Sequence, residues 1–138
     1  MSIEFSAEEK MNGLDMSALL NGVDKMIDLC KEDYKKWSDL SSRYDGDTES
    51  RKKIKDMMIE DYNNGIMFTK GSKYIKVVNG KSNGQLSVWG FVVATHNDKK
   101  FRFGDILKAG GWAAPARNFP RGNVLDEDFR CVRWTGAG

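Results

Sequence analysis

At Gly65 the apolar pattern of this 138-residue chain changes period, and that change decides most of what the chain can become. Before it, from Asp15 or Ser17 to about Tyr44, the residues Leu20, Val23, Ile27, Cys30, Tyr34, Trp37 and Tyr44 recur three and four apart, with Ser41 filling one polar gap. Such spacing draws one face of a long helix, with Asp15 or Ser17 as its expected N-cap. The same alternation fits a coiled-coil seam, so the stripe is expected to be buried in its own domain or against a second subunit. Asp45-Gly46-Asp47-Thr48 breaks the pattern, and Asp47 or Thr48 can cap a second helix with Ile54, Met57, Met58 and Tyr62 on its expected apolar face. Asn63-Asn64-Gly65 ends that helix, glycine tolerating the left-handed conformation of a C-terminus.

Beyond Gly65, β-branched and aromatic residues take over, and strands are expected at IMFTK, KYIKVVN, QLSVWGFVVAT, around FRFGDILKA, at GNVL and at FRCVRWT, with turns at NGKSNG and THNDKK. In KYIKVVN the alternation puts Tyr74, Lys76 and Val78 on one face and Ile75 and Val77 on the other. VWGFVVA is apolar on both faces, as a central strand is, and Gly90 within it marks a bulge or a close backbone approach. The fold class is therefore α+β: a helical hairpin over residues 1–64, then a small antiparallel β-barrel-like domain over residues 65–138. Self-association through the Leu20 to Tyr44 stripe is expected.

The two halves differ in charge. Residues 1–64 carry ten Lys or Arg against fifteen Asp or Glu, and residues 65–138 carry twelve against five, so −5 and +7 sum to the overall +2. A basic half attracts phosphate-bearing partners, or pairs with the acidic half of the same or a neighbouring chain. With 40% hydrophobic and 30% charged residues the composition is that of a globular protein, and the N-terminus MSIEFSAEEKMNG has neither a basic start nor an apolar run. A cytoplasmic location without membrane insertion is expected. Cys30 and Cys131 belong to no C-x-x-C pair, His96 stands alone in a turn, and both cysteines are expected to be buried and reduced. No cofactor motif, metal-ligand spacing or nucleophile with a base stands out, so an enzyme is not the expected class. Asp126, Glu127 and Asp128 read as a solvated turn.

The most specific segment is GGWAAPARNFPRGNV, Gly110 to Val124. Gly110 and Gly111 bare the backbone before Trp112, and Pro115 and Pro120 stiffen the chain, which lowers the ordering cost of binding. Arg117, Asn118, Arg121 and Asn123 offer donors for phosphates, carboxylates or base edges, while Trp112 and Phe119 offer faces for stacking. In the alternative, Trp112 and Phe119 plug a barrel and the arginines bond to loop carbonyls, or the loop is a subunit contact. FRCVRWT, followed by a flexible GAG tail, reads as an edge strand with Arg130 and Arg133 facing solvent, with the alternative that these arginines and Trp134 extend a basic, aromatic binding surface.

The runs SVWGFVV, KFRFGDILKAGGWAAPARNFPRGNV and VRWTG resemble the C-terminal part of small accessory proteins encoded by bacteriophages, a group with no settled activity to carry over. The resemblance covers roughly residues 73–136 and not the hairpin. It implies a protein of the host bacterial cytoplasm that counters a host defence by binding a host protein, by mimicking or covering nucleic acid, or by sequestering a nucleotide signal. Together with the loop's chemistry, the expectation is non-enzymatic binding of an anionic nucleotide-like ligand by Trp112, Arg117, Asn118, Phe119, Arg121 and Asn123. The alternatives are a nucleic-acid-binding module and an inhibitor that docks Trp112 and Phe119 on a host protein.

Overall fold

The computed structural model describes the backbone of residues 2–42 and 49–138 and the side chains of residues 15–40 and 49–138. The Asp45 to Thr48 break, its caps and Tyr44, and the side chain of Ser41, lie outside the described residues. Helix α1 (Ser2–Ser42) begins well before the expected cap at Asp15 or Ser17, and α2 (Glu49–Gly65) leads directly into the first strand. The strands are β1 (Ile66–Lys70), β2 (Tyr74–Gly80), β3 (Leu86–Val93), β4 (Asp105–Leu107) and β5 (Gly122–Asn123), followed by β6 (Val132–Arg133) and β7 (Gly136–Ala137). The first five form one antiparallel sheet in chain order, and β6 and β7 form a separate two-stranded ribbon. The class is α+β. The sheet is open rather than closed into a barrel, because β1 and β5 each pair on one side only within it.

β3 is the central strand of the order, and its double-sided apolar character follows from that place. Trp89 and Val92 join the core beneath the helices, while Phe91 and Val93 meet Phe101 and Leu107 in a second cluster. Val77 pairs with Gly90 and Val78 with Val88, so Trp89 is the extra residue of a bulge. Gly90 also admits a close approach, since a Cβ there would stand 2.9 Å from the Leu107 carbonyl oxygen.

The middle of the α1 stripe is covered by its own chain, while Trp37 stays 45% exposed. Val23, Ile27, Cys30 and Tyr34 are buried with Ile75, Val77, Val92, Ile106 and Val132, and Leu19 and Met26 extend the same face. A coiled-coil partner is therefore not needed to bury them, which corrects the argument for self-association through this stripe. Each fully buried leucine or methionine contributes about 1.5–3 kcal/mol relative to exposure, so these residues anchor the helix to the sheet. The hairpin and the β-region thus share one core.

The expected apolar face of α2 is also corrected. Of the expected face only Tyr62 turns inward; Ile54, Met57 and Met58 are exposed, and Lys55 and Ile59 join Tyr62 on the inner side. Lys55 pairs with Asp39 of α1, and Tyr62 stacks on Tyr34 at 4.6 Å. FRCVRWT is not one strand: Val132 N–H donates to the Phe129 carbonyl at 3.0 Å, making a turn before β6. The GAG tail forms β7, with Ala137 buried against the core.

Both cysteines are free and buried in that same core. Burial pushes the Cys30 thiol up to about 12 and raises Cys131 as well, so neither carries the thiolate that nucleophilic chemistry needs. Among the described residues no helix is long and apolar enough to cross a membrane.

Candidate functional site

The Gly110 to Val124 segment is a folded extension of β4. Ala116 N–H donates to the Lys108 carbonyl at 2.8 Å, Ala109 bridges Pro115, and Gly110 and Gly111 both donate to the Ala114 carbonyl. Pro115 is buried at the base of this excursion, and Trp112 stands at its tip. Further on, Arg121 N–H donates to the Ile106 carbonyl at 2.7 Å, returning the chain to the sheet at β5. Backbone hydrogen bonds hold both ends of the segment.

Beside that tip lies an open cleft of about 390 Å³, lined by residues 69–74, Lys76, Phe91 and Ala113. Its size falls among the small-molecule sites of about 300–1,000 Å³. Three elements make it. The turn between β1 and β2 supplies Ser72 and Lys73; the outer face of the sheet supplies Tyr74, Lys76 and Phe91; the excursion supplies Ala113. Period-two alternation sends Lys76 and Tyr74 away from the helices, since Ile75 and Val77 go into the core. Lys76 Nζ sits 3.7 Å over the Trp112 ring, a cation–π contact that ties the sheet to the tip. Tyr74 meets Phe91 edge-on at 5.9 Å. The lining contains lysines and no aspartate, glutamate or histidine.

Arg117 is committed to a structural network. Its guanidinium donates to both oxygens of Asp98 at 3.0 Å, donates to the Tyr74 hydroxyl and lies over the Phe101 ring. The Arg117 guanidinium, and then the amides of Lys100 and Phe101, hold the Asp98 carboxyl well below the usual carboxylate range. Lys100 Nζ in turn donates to the Arg117 carbonyl. Arg117 therefore braces Tyr74 at the cleft wall with its charge already paired.

Arg121 covers Phe119 at 3.8 Å and donates to Asn118 Oδ1 at 3.3 Å, while Asn118 Oδ1 also accepts from Phe119 N–H. These three residues form a local knot that contributes nothing to the cleft lining. Trp112 and Phe119 are 54% and 53% exposed, so neither plugs a barrel. Asn123 is buried, donates to Asp105 Oδ1 and the Phe103 carbonyl, and accepts from the amides of Leu125 and Asp126. All its polar capacity is spent on the loop, which corrects its place among ligand-contacting residues.

Of the six residues expected to form a site none lines the cleft itself; Trp112 reaches it through Lys76 and Arg117 through Tyr74. Lys73 and Lys76 were missed, although the face shared by Tyr74 and Lys76 is visible in KYIKVVN. The acidic run is a surface turn whose members meet separate cations: Asp126 with Arg102, Glu127 with Lys25 and Asp128 with Arg130.

Asp98 provides a pH test. Its folded pKa lies below the unfolded value, so its stabilisation is fully present above the ordinary aspartate pKa of about 3.9 and is lost as pH falls through the folded pKa. The stability difference between the wild type and Asp98→Asn is expected to be constant near neutrality and to shrink below about pH 4. Urea midpoints at several pH values measure it. A difference unchanged down to about pH 2 would mean the carboxylate is not linked to folding.

Fold and cleft together define an α+β protein in which a long helix backs an antiparallel sheet and a basic cleft opens on the sheet's other face. The chain belongs to a family of unknown function (DUF7717), whose model matches residues 3–137. No curated protein and no solved structure matches it.

Proposed function

We propose that the protein is a non-enzymatic binder of a phosphate-bearing ligand, of the nucleotide or nucleotide-derived class, held in the cleft between the β1–β2 turn and the Trp112 tip. The observation that carries this reading is a lining with Lys73, Lys76 and Ser72 as donors, aromatic walls and no carboxylate to repel an anion. Lys73 and Lys76, which line the cleft, hold the phosphates in place of Arg117, whose guanidinium is paired with Asp98, and of Arg121, which lies outside the lining. The half-exposed Trp112 ring offers a stacking surface for a base. Sequestering such a signal within a bacterial host, as a phage accessory protein would, is the biological role we attach to this chemistry.

The test is calorimetric titration and thermal shift against a panel of mono-, di- and cyclic nucleotides, beside mass spectrometry of small molecules released on denaturation. A charge-assisted contact is worth about 1.5–3 kcal/mol. Lys73→Ala and Lys76→Ala are therefore each expected to weaken binding by at least about tenfold, and Arg130→Ala, remote from the cleft, to leave it unchanged. No released nucleotide and no thermal shift would end this reading. Oligonucleotide binding that falls steeply with salt would replace it with a nucleic-acid module.

A further inference from the structure

We propose that the outer edge of β1 is the seam of a two-fold dimer, in which β1 of one chain pairs antiparallel with β1 of a second copy and Phe68 faces its own counterpart. The inference is independent of the ligand reading and rests on the hydrogen-bond phase of the strand, on the contrast between the two sheet edges, and on charge.

The phase is fixed by the β1–β2 hairpin. Gly71 N–H donates to the Tyr74 carbonyl, which makes residues 71 and 74 a hydrogen-bonded pair. Pairing continues as Lys70 with Ile75, Thr69 with Lys76, Phe68 with Val77, Met67 with Val78 and Ile66 with Asn79. Hydrogen-bonded and non-bonded pairs alternate in an antiparallel ladder. Met67 and Thr69 therefore direct their backbone groups toward β2, and Ile66, Phe68 and Lys70 direct theirs outward. A symmetric seam centred on Phe68 sets Ile66 opposite Lys70 of the other copy and Phe68 opposite Phe68, so that every outward group meets another outward group. No other two-fold centre within the strand pairs all of them.

The opposite edge is closed to such use. β5 has two residues, and the chain's own turn covers it, with Asn123 and Asp128 exchanging backbone hydrogen bonds at 3.2 and 3.0 Å. β1 carries none of the usual protections over Ile66 to Thr69: no charge, proline or bulge, and Met67 is exposed. In the seam Met67 faces Thr69 of the other copy and is covered by it.

Charge selects a second copy as the occupant. A groove of about 520 Å³ runs beside β1, with Asp24, Asp28 and Lys31 of α1 on one wall and Ile66 to Phe68 on the other. Strand alternation places Lys70 with Ile66 and Phe68, both of which pack on the core, although at the end of β1 it also borders the cleft on the other face. Opposite Ile66, the other copy's Lys70 is delivered to the exposed Asp24 and Asp28, and symmetry makes the contact twice.

Sedimentation velocity on the full chain is expected to show a dimer of twice 15.6 kDa. Asp24→Lys with Asp28→Lys is expected to weaken the dimer at least tenfold, and adding Lys70→Glu to that protein to restore it. Phe68→Pro removes the outward N–H together with a ring that packs on the core, so it is expected to give a less stable monomer, to be read beside its far-UV spectrum. Should that variant fail to fold, the charge exchange decides alone. A wild type that stays monomeric at high concentration, or a dimer unmoved by the charge reversal and not regained with Lys70→Glu, overturns the seam.

Discussion

Gly65→Ala is expected to destabilise the protein by at least about 3 kcal/mol, above most overpacking substitutions, and to lower its melting temperature by about 10 °C. An alanine is among the mildest changes a helix terminus can receive, yet a Cβ at this position would stand 1.8 Å from the Gly80 carbonyl oxygen and 2.9 Å from its carbon. The obstacle is backbone, which cannot rotate aside as a side chain can. Gly65 is the last residue of α2 and Gly80 the last of β2, so relief requires the helix to separate from the sheet where Ile66 pairs with Asn79. Gly111→Ala is the matched control, because a Cβ there meets nothing within 4 Å. Thermal melts of the two variants should separate widely, and a Gly65→Ala protein as stable as the control would mean that the helix end yields freely.

That glycine also marks how far sequence reasoning reached. The change of period at Gly65 was legible and located the boundary between helix and strand correctly. The reason for glycine there was not: its φ is not positive, and the residue is demanded by the approach of β2, which is fifteen positions away in sequence and invisible to a local pattern. The same division runs through the rest of the fold. Alternation within KYIKVVN put Ile75 and Val77 inside and Lys76 and Tyr74 outside, because a strand's two faces follow from period alone. The apolar set Ile54, Met57 and Met58 misled, since the face of α2 that turns inward depends on where α1 lies and on Tyr62 reaching Tyr34.

The candidate site shows a similar limit. Composition singled out Gly110 to Val124 for its arginines and aromatics, and of these Trp112 adjoins the cleft through Lys76. Which cations remain open to a ligand depends on tertiary pairing, and the Asp98 partner of Arg117 lies in a different turn. Lys73 and Lys76 look like ordinary surface lysines until the excursion brings Ala113 into the same cleft lining and sets Trp112 against Lys76.

Trp134→Ala is expected to cost about 3 kcal/mol, near the lower end of tryptophan truncations because the ring is only partly buried. The site is where the C-terminal ribbon is fastened to both helices. Its ring meets Tyr34 edge-on at 5.0 Å, Trp37 at 5.0 Å and Tyr62 at 6.1 Å. Its backbone N–H donates to Asp33 Oδ2 at 2.9 Å, and its carbonyl accepts from the Tyr62 hydroxyl at 2.8 Å. Alanine keeps those backbone bonds and deletes the ring contacts, so the loss reads the aromatic cluster itself. Trp134→Phe should recover a good part of it. Because one core draws residues from the acidic hairpin and the basic sheet together, the variant should unfold in a single transition at lower denaturant. The helical signal in far-UV circular dichroism and the aromatic signal in the near-UV should coincide. Two separated transitions, with the helices surviving after the aromatic signal has gone, would show that the hairpin stands by itself and that Trp134 fastens two independent units.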